Sequence, residues 1–174
     1  STIFSTLNTK KEIEELFNWV DTNVYMQTKA EIINKIYESG TPLQKKVASV
    51  FLETCLFYSG FYAPLRYLGN NKMINSAEII KLIIRDESVH GTYIGYKFQL
   101  GFNELSEDEQ GEFRDWMYEL LYQLYENEEK YSHLLYDKVG WTDEVLTFLR
   151  YNANKALMNL GQDPLFPDTA ADVN

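Results

Sequence analysis

The chain has 174 residues, of which 45% are hydrophobic and 24% are charged, and this composition is typical of one globular domain with its own core. Its formal net charge of -10 makes nucleic acids and anionic membrane surfaces unfavourable partners, because both are negatively charged. The single cysteine, Cys55, excludes an intrachain disulfide and a cysteine-based metal site, and it favours a reducing, cytoplasmic setting.

The chain shows helical periodicity throughout and no alternation of apolar and polar residues, so it predicts an all-α fold. Capping residues, prolines and glycines predict six main helices, over about residues 9–20, 21–38, 41–60, 75–100, 106–138 and 142–161. Short connections predict antiparallel neighbours in a bundle. The stretch 47–65 is predicted to be a core helix, not a membrane span, that bends or ends between Gly60 and Pro64.

Glu53 lies in the middle of this apolar stretch. It is the only charged side chain between Lys46 and Arg66. A helix that is apolar on nearly every side is buried, and a buried carboxylate must be paired, hydrogen-bonded, protonated or bound to a metal. Taken alone, Glu53 fits a core glutamate paired with an arginine at least as well as a metal ligand.

Glu87 and His90 follow an apolar run on the next long helix. Their spacing of three residues places both side chains on one helical face. This E-x-x-H arrangement presents a carboxylate and an imidazole to a metal pair in four-helix carboxylate proteins. In a chain rich in glutamate the spacing also arises by chance, so the motif alone is weak evidence.

The two features together are more specific than either one. A glutamate from one helix and E-x-x-H from another form half of the ligand set of ferritin-like di-metal bundles. We therefore predict a ferritin-like di-metal carboxylate helical bundle of which residues 1–174 are the second half. Glu53, Glu87 and His90 are its predicted ligands, and they suit iron or manganese. Because three ligands leave two metal ions undercoordinated, another segment is expected to complete the site.

Residues near the predicted ligands have two interpretations each. Asp86 is predicted either to hydrogen-bond a histidine of the missing half-site or to pair with Arg85 at the surface. Phe57, Phe61 and Ile83 are predicted to form a dry pocket beside the metals, or to be ordinary core residues. Four tyrosines are predicted to be packing residues, namely Tyr58, Tyr62, Tyr93 and Tyr96. His133 is predicted to lie at the surface.

Three long segments resemble a known family. VASVFLETCLFYSGFYAPL (47–65), AEIIKLIIRDESVHGTYIGYKFQ (77–99) and YNANKALMNLGQDPLFP (151–167) are similar to the small, radical-bearing subunit of class Ib ribonucleotide reductase. The resemblance covers essentially all 174 residues, and the opening STIFSTLNT is similar to the family directly after its radical tyrosine.

The resemblance implies a homodimer with a dinuclear manganese or iron cofactor that generates a tyrosyl radical. The radical passes to the large subunit, which reduces ribonucleoside diphosphates for deoxyribonucleotide and DNA synthesis. In the manganese form, a flavodoxin-like activator protein supplies the oxidant. Glu53, Glu87 and His90 match the family's second set of metal ligands, and Asp86 matches an aspartate of its radical-transfer relay.

The resemblance also implies that Phe57, Phe61 and Ile83 belong to the apolar pocket around the radical. The family's first ligand set and its radical tyrosine are expected before Ser1, and the tail that docks on the large subunit is expected after Asn174. A split gene, a fragment, or a sequence interrupted by a modified residue each explains this. All three predict that the N-terminal half of the subunit completes the site.

Two alternatives from other functional classes stay open from the residues alone. A ferritin-like di-iron oxidase or storage protein would need a second E-x-x-H in the same bundle. In a non-catalytic helical interaction protein, Glu53, Glu87 and His90 would be satisfied core residues. Metal analysis of the completed site separates the non-catalytic interaction protein from the two metal-binding alternatives.

Overall fold

The computed structural model describes residues 2–173, with side chains described from residue 5 onward. This part of the chain is helical and contains no strand, as predicted. Its α-helices are α1 (Thr2–Leu7), α2 (Lys10–Thr22), α3 (Val24–Ser39), α4 (Pro42–Phe51), α5 (Tyr58–Gly69), α6 (Ile74–Phe102), α7 (Glu107–Tyr136) and α8 (Thr142–Asn159). A π-helical turn (Leu52–Leu56) joins α4 to α5, and short 3₁₀ turns lie at Asp137–Val139 and Asp168–Ala170.

Most of the predicted helix starts are confirmed by their caps. The side chains of Thr9, Thr41 and Ser106 each accept a backbone N–H three residues ahead, and each belongs to a complete capping box. Pro42 occupies the first turn of α4, where its missing N–H has little cost.

Two other boundaries differ from the prediction. The third helix begins at Val24, not at residue 21, because the Asn23 side chain caps it by accepting the Met26 N–H at 3.0 Å. The long helix α6 follows Met73, which has left-handed backbone (φ 48°) and makes no capping hydrogen bond, so no side-chain cap marks this start.

The predicted break in the apolar stretch lies earlier in the chain than expected. The helix changes register at the π turn, where the Phe57 N–H donates to the Leu52 carbonyl at 3.2 Å. Gly60 and Pro64 both lie inside α5, so the helix does not end there. Packing of α5 against α6 and α8 outweighs the poor helix propensity of these two residues. Glu53 consequently lies on the π turn.

The hydrophobic core is centred on α4 and the π turn. Val47, Val50, Phe51 and Cys55 have no exposed surface, and they pack with residues of α6, α7 and α8. The first part of the stretch 47–65 therefore belongs to the core, whereas residues 61–65 are only partly buried. Among residues 2–173, every helix is either too short or too polar to cross a lipid bilayer.

A close contact between α6 and the π turn brings the predicted ligands together. A Cβ atom at Gly91 would lie 2.2 Å from the Thr54 Oγ1, a distance that no real Cβ tolerates. Gly91 directly follows His90, and Thr54 directly follows Glu53. The absence of a side chain at Gly91 therefore sets how near the two ligand-bearing segments lie.

Cys55 is a free, buried thiol. Burial, and then the negative charge of Glu128, raises the pKa of Cys55 to about 12. The stabilising contribution of the neutral thiol is therefore present below about pH 9 and is lost between pH 9 and about 12. We expect the folded chain to resist alkylation at about pH 8 and to react once unfolded. Rapid alkylation of the folded chain, detected by mass spectrometry, would contradict this burial.

One face of α6 is apolar and open to solvent within residues 5–173. Its members are three or four residues apart, except for a step of seven between Leu82 and Val89, and they are 47–63% exposed. They are Ile79, Leu82, Val89, Tyr93, Tyr96 and Leu100. We call this face the α6 seam. Tyr93 and Tyr96 were predicted to be packing residues, and within residues 5–173 both are exposed. The spacing is that of a helix-packing face, so the α6 seam is suited to a covering helix.

Candidate metal centre

The structure brings Glu53, Glu87 and His90 together. Glu53 comes from the π turn, and Glu87 and His90 come from one turn of α6. One potential ligand atom of each residue lies within 4.8 Å of the others. The His90 Nδ1 is 3.3 Å from the Glu87 Oε2 and 3.6 Å from the Glu53 Oε2. All three donors therefore converge on one point between α6 and the π turn.

Glu53 is the least satisfied member of this group. Its Oε2 is buried and has no hydrogen-bond partner among the described residues. Burial raises the pKa of Glu53, the charge of Glu87 raises it further, and His90 lowers it. Within residues 5–173 no lysine or arginine forms an ion pair with Glu53, so the alternative of a core glutamate paired with an arginine is not supported. A bound cation would give the Glu53 Oε2 a partner and would offset the repulsion between the Glu53 and Glu87 carboxylates. These residues therefore fit a metal.

The group is open on one side. The side chains of Glu53 and Glu87 are 20% and 19% exposed, whereas that of His90 is 55% exposed. His90 directly follows Val89 of the α6 seam. The open side of the candidate ligand group and the uncovered face of α6 are thus neighbours on the same helix.

Among the described residues, Asp86 makes a loose charged contact. Its Oδ1 lies 3.7 Å from the Arg85 Nε, and both side chains are largely exposed. This contact agrees with the surface-pair interpretation for the chain by itself. By helical spacing, Asp86 occupies the gap in the α6 seam between Leu82 and Val89. A segment that covers the seam would therefore also cover Asp86.

The three predicted pocket residues do not form a closed pocket within residues 5–173. The rings of Phe57 and Phe61 meet edge to face, with centroids 6.1 Å apart. Phe57 is 36% exposed and Ile83 is 39% exposed, so both still have surface available to another segment. Phe57 also lines a cavity of about 260 Å³ between α3 and the π turn.

The remaining predicted residues lie outside the ligand group. Tyr58 is buried, and the Tyr62 hydroxyl donates to the Glu144 carboxylate, so both pack as predicted. His133 is exposed, with its Nδ1 2.9 Å from an Asp137 carboxylate oxygen one turn later, which confirms its surface assignment.

Sequence reasoning missed a buried ionic cluster on the far side of the π turn. Glu128 of α7 is fully buried, and its carboxylate lies 2.7 Å from the Lys29 Nζ of α3. The same carboxylate accepts a hydrogen bond of 2.7 Å from the Ser59 hydroxyl of α5. Helical spacing places Glu128 on the same face of α7 as the buried Leu121 and Leu124, and this signal could have revealed the cluster.

Comparison with known proteins shows which family the chain matches. Residues 1–174 match the protein family "Ribonucleotide reductase, small chain". Over 174 residues the chain is 53% identical to the ribonucleoside-diphosphate reductase subunit beta nrdF2 of Mycobacterium tuberculosis, and 49% identical to the ribonucleoside-diphosphate reductase 2 subunit beta of Escherichia coli. Each match covers 100% of this chain but 54% of the relative, so the chain spans about half the length of these relatives.

A solved structure agrees with the fold. The crystal structure of the dimanganese(II) NrdF of Streptococcus sanguinis superposes with a TM-score of 0.96 and 76% sequence identity. The superposition covers 99% of this chain and 61% of that one. The predicted all-α, ferritin-like helical bundle is therefore confirmed.

Proposed function

Because this chain belongs to the ribonucleotide reductase small-chain family, we propose that it supplies half of the dinuclear metal centre of a class Ib radical-bearing subunit. The observation that carries the proposal is the convergence of Glu53, Glu87 and His90 within 4.8 Å in a chain of this family. The complete subunit would generate and store a tyrosyl radical for the reduction of ribonucleoside diphosphates by the large subunit.

The three side chains would hold the metal through two carboxylates and one imidazole. Both carboxylates are mostly buried, so their negative charge is poorly screened by water and favours a divalent cation strongly. When bound, the metal pair supplies the oxidising chemistry that forms the tyrosyl radical. The dimanganese(II) state of the Streptococcus sanguinis NrdF supports manganese over iron.

The N-terminal half of the same subunit is the proposed partner that completes the site. The relatives extend well beyond the matched region, since it covers 54% of their length. Within the described residues, the α6 seam is uncovered and lies beside the open side of His90. A helix from the N-terminal half, carrying the first ligand set, would cover the seam and close the site in one step. Homodimerisation, the large subunit and a flavodoxin-like activator complete the proposed assembly, in the cytoplasm.

The assembly also gives a proposed role to four further residues, namely Asp86, Phe57, Phe61 and Ile83. Asp86 would act in the relay that carries the radical toward the large subunit, once the covering helix shields it from water. Phe57, Phe61 and Ile83 would line the dry side of the radical site. The exposed surface of Phe57 and Ile83 in this chain supports such a contact.

A reconstitution experiment tests the function. We expect the complete subunit, loaded with Mn(II) and activated, to give a tyrosyl radical signal in electron paramagnetic resonance and to support ribonucleoside diphosphate reduction with the large subunit. The 174-residue chain alone should give neither, because the radical tyrosine is proposed to lie outside it. A radical signal from this chain alone would refute the proposed position of the radical, and a complete subunit that binds no metal would refute the proposed function.

A further inference from the structure

The buried cluster of Lys29, Glu128 and Ser59 joins three helices directly behind the π turn. Lys29 is held on α3 between the Glu128 carboxylate, at 2.7 Å, and the ring of Tyr131, whose centroid is 4.7 Å from the Lys29 Nζ. Ser59 is the second residue of α5 and donates its hydroxyl to the same carboxylate. We call these three residues the anchor cluster.

The anchor cluster adjoins the π turn. The charges of Glu128 and Lys29 both act on the Cys55 thiol inside the turn. Lys29 also shares the cavity of about 260 Å³ with Leu52 and Leu56, which begin and end the turn. The π turn is therefore held between two contacts, with Gly91 of α6 on the ligand side and the anchor cluster behind.

Just after the π turn, Ser59 makes two hydrogen bonds to side chains of α7. The Ser59 hydroxyl donates to Glu128, and the Ser59 carbonyl accepts a hydrogen bond of 2.5 Å from the Tyr136 hydroxyl. A π turn contains one residue more than an α-helical turn, so a return to α-helical register would rotate the preceding residues by about 100°. Such a rotation would carry Glu53 away from Glu87 and His90.

We propose that Lys29, Glu128 and Ser59 are positioning residues for the metal centre, because they hold the π turn in register and so aim Glu53 at the metal. A fully buried carboxylate is costly without its partners, so the contacts of Glu128 with Lys29 and Ser59 favour the observed arrangement of α3, α5 and α7. Buried ion pairs often stabilise a protein no more than apolar packing would. We therefore assign this cluster the role of fixing the arrangement of the helices. The inference rests on the proposed function in one respect, that Glu53 is a ligand.

Two measurements on the metal-free complete subunit test the anchor cluster. The first is hydrogen exchange of the backbone amides of residues 52–59, compared between the wild type and the variants Ser59→Ala and Glu128→Gln. We expect exchange to be at least about tenfold faster in both variants, because the register of the turn is no longer held. The second is the dissociation constant for Mn(II), which should rise by about 10- to 100-fold.

Tyr125→Phe is the matched control. Tyr125 lies one turn before Glu128 on α7 and is also buried, but its hydroxyl accepts a hydrogen bond from Arg150 and takes no part in the contacts among Lys29, Glu128 and Ser59. The control should change neither the exchange of residues 52–59 nor the Mn(II) dissociation constant, even where it lowers the melting temperature. A general loss of stability would move all three variants alike, and that outcome would overturn the positioning role.

The outcomes also separate this inference from the proposed function. Unchanged exchange of residues 52–59 in folded Ser59→Ala overturns the positioning role, whatever the metal affinity. Faster exchange with an unchanged Mn(II) dissociation constant overturns the link from register to Glu53. If the wild-type subunit binds no Mn(II), the proposed function fails, while the exchange data still decide whether the cluster holds the turn. If Glu128→Gln does not fold, the same measurements on Ser59→Ala, which loses only one hydroxyl, test the positioning role.

Discussion

Replacing Glu87 with alanine is expected to lower the metal content of the complete subunit from about two manganese ions per site to about one or fewer. The Glu87 Oε2 lies 3.3 Å from the His90 Nδ1 and shares its site with the buried Glu53 carboxylate. Without Glu87, this half of the site keeps two donors and loses one of its two negative charges, so a divalent ion is bound weakly. Metal analysis after equilibrium dialysis against Mn(II) measures the loss.

Glu78→Ala is the control for this variant. Glu78 lies on the same helix and is 53% exposed, and it pairs only loosely with Lys81, at 3.2 Å. Its removal takes one carboxylate from α6 without touching the ligand group, so the metal content should stay at the wild-type value. Equal losses in both variants, or no loss in Glu87→Ala, would contradict the assignment of Glu87 as a ligand.

Gly91→Ala is expected to destabilise the protein by about 1–3 kcal/mol, although alanine is the better helix former. The new Cβ would lie 2.2 Å from the Thr54 Oγ1, and Thr54 is only 2% exposed and has little room to move. The strain is relieved only if α6 moves away from the π turn, which would also separate His90 from Glu53. Urea unfolding gives the change in the free energy of unfolding, and Mn(II) affinity reports the separation of the ligands.

Gly111→Ala is the matched control, since Gly111 lies inside α7 and a Cβ there would meet no atom within 4 Å. This variant should be stabilised by about 0.5–1 kcal/mol, through the higher helix propensity of alanine alone. Adding Thr54→Ala to Gly91→Ala should restore part of the lost stability, because it removes the clashing oxygen. A Gly91→Ala protein that gains as much stability as Gly111→Ala would show that the contact is not tight.

Local sequence was sufficient for much of the fold and for the candidate ligands. The capping boxes of Thr9, Thr41 and Ser106 are formed by residues three apart, so they depend on neither the core nor the partner helices. The candidate ligands could also be recognised from residues close to them in the sequence. Glu87 and His90 are neighbours on one helical face, and Glu53 was conspicuous as a lone charge in an apolar stretch.

The prediction failed where the answer depends on contacts between distant residues. A break was expected at Gly60 and Pro64 from their intrinsic propensity, but packing keeps both helical and the register changes at the π turn instead. Tyr93 and Tyr96 look like core residues by type, yet they are exposed because no described segment covers that face of α6. Apolar character predicts that a side chain will be buried, but it does not say by which segment.

The sequence by itself determined the all-α class and most helix starts, and it indicated Glu53, Glu87 and His90 as candidate ligands, because capping, periodicity and lone buried charges act over a few residues. Only the tertiary structure decided the π turn, the anchor cluster behind it and the close approach of Gly91 to Thr54. These features depend on hydrogen-bond register and on distances between helices far apart in the chain, and both are set by how side chains pack in three dimensions.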